Sequence, residues 1–128
     1  MTLHEIKDRL TALTDGNAEL ISARNELEKQ GMNPVKVRAT MEMLNELQTR
    51  MKTEVLHFLY EKKDGSTRHA YGTRAGDIIG RHSAGTSSQK NSNHTPAPGT
   101  FPYFDIERKA WRCFRVDGIN YIMRQYEI

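Results

Sequence analysis

The chain has 128 residues, room for one ordinary domain with an appendage but not for two large ones, and its 37% hydrophobic content implies a small core. A single cysteine, Cys113, excludes an internal disulfide and suits a reducing interior, and no apolar run has the length of a signal peptide core or a membrane span. The net charge of +3 is carried wholly by residues 54–128, with eleven basic and eight acidic side chains against eight of each in residues 1–53, which permits an anionic partner.

The first half reads as helix. Leu3, Ile6, Leu10, Leu13, Asn17, Leu20, Arg24 and Leu27 recur at spacings of three and four. Thr2 is placed as an N-cap with Glu5 three residues on, the capping-box pattern. Asp15 and Gly16 interrupt the run and can divide it into two helices. Asn17 and Arg24 fall on the apolar seam, where polar residues of a coiled coil fix register or oligomer state. Gly31 suits a left-handed C-cap, and Asn33 with Pro34 restarts a helix expected to reach about Thr53, with Val37, Met41, Leu44, Leu47 and Met51 on its apolar face. A helical hairpin over 1–53 results, most simply a packed element, and a helical appendage unable to bury itself would serve as an oligomerisation element.

From Thr53 the period changes. Val55, His57 and Leu59 alternate with Leu56, Phe58 and Tyr60 in an apolar run that suits a strand buried on both faces, which makes His57 a core histidine. Asp64 and Gly65 between apolar runs signal a hairpin, with the return strand over 67–73. Residues 74–79 suit a short helical turn or a further strand. Residues 81–100 contain no large apolar side chain and are rich in Ser, Thr, Asn, Gly and Pro, which predicts a flexible loop, a lid over a ligand or a tolerated surface insertion. Strands follow at 103–106 and 111–115, with turns at 107–110 and at Asp117 and Gly118, and a last strand over 119–125. Five short strands with tight turns predict an α+β chain: an N-terminal helical hairpin over 1–53, then a small antiparallel SH3-like or Sm-like β-barrel over 54–128.

Two stretches, KKDGSTRHAYGTR and PYFDIERKAWRCFRVDGI, carry a likeness to a known family. Lys63, Asp64, Gly65, Arg68, Gly72 and Thr73 in the first, and Tyr103, Phe104, Asp105, Trp111, Arg112, Phe114 and Arg115 in the second, resemble the second WYL-type family of phages and bacteria. The resemblance covers about residues 55–122 and implies an Sm-like or SH3-like barrel. It also implies a cytoplasmic setting in a bacterium or an infected host cell. Larger WYL domains look like sensors that take nucleic acid or nucleotide ligands on a basic barrel face. This chain has no WYL tripeptide and no winged helix-turn-helix pattern.

No catalytic constellation stands out. Cys113 lies in a predicted strand between Arg112 and Phe114, the setting of a packed thiol. His69, His82 and His94 are not at metal-ligand spacings, and no phosphate-cradling glycine loop opens a helix. An enzyme is therefore not expected, and neither a cofactor nor a metal is implied. Binding is better served. Strand alternation puts Trp111, Cys113 and Arg115 on one face and Arg112 and Phe114 on the other. An aromatic ring beside guanidinium forks is what a base-and-phosphate ligand requires. Arg68, Tyr71, Arg74, Trp111, Arg112 and Arg115 form the candidate ligand set, although Trp111 and Phe114 also suit core anchors.

The expected function is a non-enzymatic binding protein of phage or mobile-element type for an anionic ligand, a cyclic nucleotide or single-stranded nucleic acid. In one form it is a homo-oligomeric sponge for a cyclic nucleotide immune signal, assembled through the N-terminal helices by analogy with small phage oligomers. The alternative is a protein-interaction module whose helical hairpin docks on a host or phage protein while the barrel serves as scaffold.

Overall fold

The computed structural model describes residues 2–82 and 97–123. Three helices come first: α1 (Leu3–Thr14), α2 (Ala18–Lys29) and α3 (Pro34–Arg50). Local chemistry sets their ends. Thr2 Oγ1 accepts from the Glu5 amide at 3.2 Å while Glu5 Oε1 accepts from the Thr2 amide at 3.1 Å, the reciprocal capping box. The interruption at Asp15 and Gly16 does divide the first helical run. Asn17 is then the N-cap of α2, its Oδ1 accepting from the Leu20 amide at 3.1 Å, rather than a polar residue in a coiled-coil seam. Arg24 is likewise paired along the helix, with Glu28 at 3.0 Å. Gly31 takes φ 80°, and the Gly31 and Met32 amides return to the Glu28 and Leu27 carbonyls, closing α2 in the left-handed motif its sequence predicts. Pro34 opens α3 under an Asn33 cap.

Five strands follow: β1 (Leu56–Glu61), β2 (Thr67–Thr73), β3 (Thr100–Asp105), β4 (Ala110–Arg115) and β5 (Ile119–Ile122), with a short helix α4 (Gly76–His82) after β2 and a 3-10 turn (Val116–Gly118) before β5. Of the loop expected over 81–100, Arg81 and His82 end α4 and Thr100 begins β3. Residues 83–96, and the end of the last strand expected beyond Met123, lie outside the described residues.

The sheet is antiparallel in the order β4-β3-β2-β1-β5. In a flat sheet β1 and β4 would stand about 14 Å apart, three strand spacings. Yet the Phe114 ring of β4 lies 5.6 Å from Phe58 and 5.1 Å from Tyr60 of β1. The sheet is therefore rolled, and its inner face closes on a ring cluster of Phe58, Tyr60, Phe101, Tyr103 and Phe114.

β1 is buried on one face rather than two. Leu56, Phe58 and Tyr60 point inward, whereas His57 and Leu59 are half-buried on the outer face, so His57 is not a core histidine. The helices close the same core. Leu10, Leu20, Leu27, Val37, Met41, Leu44, Leu47 and Met51 are at most 1% exposed and join one continuous apolar cluster running from Ile6 to Ile122. The apolar stripes of the first half are thus spent within the chain.

Packing explains one motif glycine. A Cβ built on Gly72 would stand 2.5 Å from Tyr103 Cδ2 and 3.1 Å from Phe58 Cε1, inside the aromatic cluster. Gly72→Ala is expected to cost about 1–3 kcal/mol by overpacking, read as a lowered urea midpoint with an unchanged slope.

Candidate nucleic-acid interface

The six candidate residues divide among four places. Arg68 lies on the inner face of β2, where its side chain is 13% exposed and its Nη2 donates to Asp105 Oδ2 at 2.6 Å. Asp105 is fully buried, and its Oδ1 accepts from the Glu107 and Arg108 amides at 3.0 Å each, so the pair ties β2 to the turn between β3 and β4. Next to it the Tyr60 and Tyr103 hydroxyls meet at 3.0 Å. Burial, and then the Tyr60 bond, push the Tyr103 hydroxyl well above the ordinary tyrosine range. Arg68 is thus committed to a structural pair.

Arg74 is committed as well. Its Nη1 and Nη2 donate to Glu19 Oε1 and Oε2 at 2.8 and 2.6 Å, its Nε donates to the Pro102 carbonyl at 2.9 Å, and its guanidinium lies 4.0 Å over the Phe101 ring. Gln48 of α3 adds a donor to Glu19 Oε1 at 2.8 Å. Helix α2 and strand β3 therefore meet on one guanidinium, and α3 joins them through Glu19.

Tyr71 faces outward. Its ring stacks on His57 at 4.4 Å, and His57 Nε2 stands 3.1 Å from His69 Nδ1. Burial and the neighbouring imidazole lower the His57 pKa against a smaller opposing pull from Glu107.

Trp111, Arg112 and Arg115 remain together on β4, an edge strand of the described sheet. The predicted alternation holds. Trp111 lies opposite Phe104 and packs edge-on against it at 6.0 Å, and Arg115 lies opposite Thr100 on the same face. Phe114 points inward as a core anchor, and Arg112 projects from that side, exposed. Trp111 keeps 44% of its surface exposed, so it is not a core anchor. Arg115 is 45% exposed and only 3.8 Å from Asp117, a loose pair. Arg108 and Lys109, both exposed, begin the same run from the turn. Cys113 is exposed rather than packed.

A cleft of about 480 Å³ lies elsewhere, between α2, Leu44, Phe101 and Val116. Its walls are mostly apolar and its one charged residue is Glu19, already held by Arg74, so it offers a phosphate no cation. Among the described residues no group of three or more His, Cys, Asp or Glu could hold a metal, and no helix is long and apolar enough to cross a membrane.

A rolled five-stranded antiparallel sheet with β5 returning to β1 is the geometry of a small barrel, and a family model agrees. The model of WYL_2, described as an Sm-like SH3 β-barrel fold, matches residues 44–119, from the middle of α3 to the start of β5. The chain belongs to the WYL_2 family. This WYL_2 chain is also 32% identical over 73 residues to the "Uncharacterized 11.5 kDa protein in Gp31-cd intergenic region" of Enterobacteria phage T4, an alignment covering 57% of this chain and 70% of that protein. It is thus a small protein with a phage relative. No solved structure matches it with significance.

Sequence reasoning did not find Glu19 as the partner of Arg74, Asp105 as the partner of Arg68, or the His57–His69 contact. The first two are separated by 55 and 37 residues and carry no local signal. The third follows from the hairpin register: a loop over 62–66 sets Glu61 opposite Thr67 and so His57 opposite Tyr71, with His69 diagonal to it.

Proposed function

We propose that this WYL_2 protein is a non-enzymatic binding protein for a nucleotide-type anion, and that the ligand is single-stranded nucleic acid held along β4. The observation that carries the reading is Trp111, exposed on an edge strand with Arg115 on its face, Arg112 on the other, and Arg108 and Lys109 in the adjoining turn. Bases stack on an exposed ring and phosphates follow a row of cations, whatever the sequence. The phage relative supports a phage setting and leaves the ligand open.

An open edge suits a strand better than a cyclic nucleotide, which requires an enclosed site, and the cleft beside Glu19 has the wrong charge for it. A sponge assembled through the helices, or a docking module using them, would have to rely on Leu3, Ile21 and Val35, the exposed large apolar residues of the helices. Each stands on a different one of α1, α2 and α3, which favours neither arrangement.

Trp111 is the only tryptophan, so intrinsic fluorescence reports on the site directly. Titration with single-stranded oligonucleotides is expected to quench it, with an affinity falling by about 0.7 log units per phosphate contact for each decade of salt. Trp111→Ala removes one stacking platform, worth about 1–3 kcal/mol, and should weaken binding roughly 5- to 150-fold when read by anisotropy of a labelled strand. Quenching by a cyclic dinucleotide alone, insensitive to salt, would replace the strand with the enclosed ligand. Unchanged affinity in an Arg112→Ala, Arg115→Ala double variant would remove β4 as the site.

A further inference from the structure

The outer face of the β1–β2 hairpin carries a second arrangement that nucleic-acid binding does not use. His57 and His69 come from adjacent strands, diagonal to one another in the register, and His57 Nε2 stands 3.1 Å from His69 Nδ1. Tyr71, directly opposite His57, stacks on that imidazole at 4.4 Å with the planes 20° apart and so fixes its tilt.

We infer that His57 and His69 form a two-imidazole chelate for a borderline divalent cation, Cu²⁺, Zn²⁺ or Ni²⁺. This inference stands apart from the proposed role of β4.

Geometry is the first argument. A metal–imidazole bond is about 2.0–2.1 Å, so two nitrogens 3.1 Å apart subtend an angle of about 100° at a shared ion, between the octahedral and tetrahedral values. The backbone already brings the two nitrogens to chelating distance, and a turn of the imidazole rings aims both lone pairs at the ion. Whichever ring carries the shared hydrogen moves it to its other nitrogen by a change of tautomer, which leaves both facing nitrogens with lone pairs for the ion. No net proton is released from the neutral pair.

Electrostatics is the second argument. Neutral imidazole is the ligating form. Glu107 in the turn after β3 is close enough for its charge to reach the His57 ring, and it favours a cation there. Among the described residues no third histidine, cysteine or carboxylate completes the set, so the ion would keep open positions for solvent or an anionic ligand. Two imidazole donors select the metals that bind nitrogen strongly, with Cu²⁺ ahead of Zn²⁺ and Ni²⁺, and bind Mg²⁺ or Ca²⁺ poorly.

The test is isothermal titration of the full chain with Cu²⁺ and Zn²⁺ at pH 7.5, beside His4→Ala and His69→Gln variants. One ion per chain is expected, tighter for Cu²⁺, with at least a ten-fold loss in His69→Gln and none in His4→Ala. His69 is exposed, and glutamine keeps its bulk, so the variant is expected to fold. A second readout needs no variant: substoichiometric Cu²⁺ should broaden the Tyr71 ring signals before those of Tyr60 and Tyr103 in the barrel interior. Absence of binding, equal binding in His69→Gln, or first broadening at residues away from the β1–β2 hairpin would each overturn the site.

Discussion

Arg68→Ala is expected to destabilise the protein by about 3–5 kcal/mol, the range for removing one partner of a buried ion pair. The loss is large because of what stays behind. Asp105 is fully buried, and without the guanidinium its charge is met only by the Glu107 and Arg108 amides. An uncompensated carboxylate beside the Tyr60–Tyr103 contact would strain the inner face of the barrel where β2, β3 and β4 meet. For a chain of this length the change corresponds to a drop in Tm of roughly 10–20 °C. An Arg68→Met, Asp105→Asn double variant removes both charges and is expected to recover a substantial part of the loss, since the neutral pair leaves no buried charge. Urea unfolding of the two variants beside the parent chain measures this. A single-variant loss under about 1 kcal/mol would mean that the pair behaves as a surface contact. If Arg68→Ala instead kept its stability and lost strand binding, Arg68 would return to the ligand set.

How much of the fold could be read from sequence follows the range of the interactions. Caps and turns are settled within four residues, so Thr2 with Glu5, Gly31, Asn33 with Pro34, and Asp64 with Gly65 all act as their chemistry dictates. Strand alternation assigned Trp111 and Phe114 to opposite faces correctly, because on an edge strand only one face is buried. It failed at β1, where half-buried His57 and Leu59 on the outer face make the run look apolar throughout. The binding set was misjudged for a different reason. An arginine's role depends on which carboxylate reaches it, and the partners of Arg68 and Arg74 arrive from distant strands and helices. Periodicity also made residues 1–53 look like an appendage in need of a partner, although their stripes pack into a single cluster with Phe58, Phe101 and Ile122. A helix shows from its sequence that one face must be covered but not what covers it.

The junction between the helices and the sheet should show its weakness at acid pH. Arg74→Ala is expected to cost about 2–3 kcal/mol at pH 7. It removes a bidentate bond to Glu19, a donor to the Pro102 carbonyl and a cation–π contact with Phe101, with the ion pair discounted because both side chains keep some solvent exposure. The pH dependence comes from Glu19. Burial pushes its carboxyl up, but the bond and charge of Arg74, with the Gln48 donor, outweigh that and hold it below the usual carboxylate range. A group whose folded pKa is depressed stabilises fully above its unfolded value of about 4.5, and that contribution is lost as pH falls through the folded value. The difference between the parent chain and Glu19→Gln should therefore be greatest at pH 6–7 and shrink steadily below about pH 4.5, where Glu19 takes up a proton in both states. Because Glu19 joins α2 to β3 only through Arg74, hydrogen exchange should show α2 amides losing protection before those of β1 and β2 as pH is lowered. Equal stability differences at pH 7 and pH 3.5 would mean that the helices are held by their apolar stripes alone. In that case Leu20→Ala and Leu27→Ala, rather than Arg74→Ala, would be the substitutions that loosen α2 from the sheet.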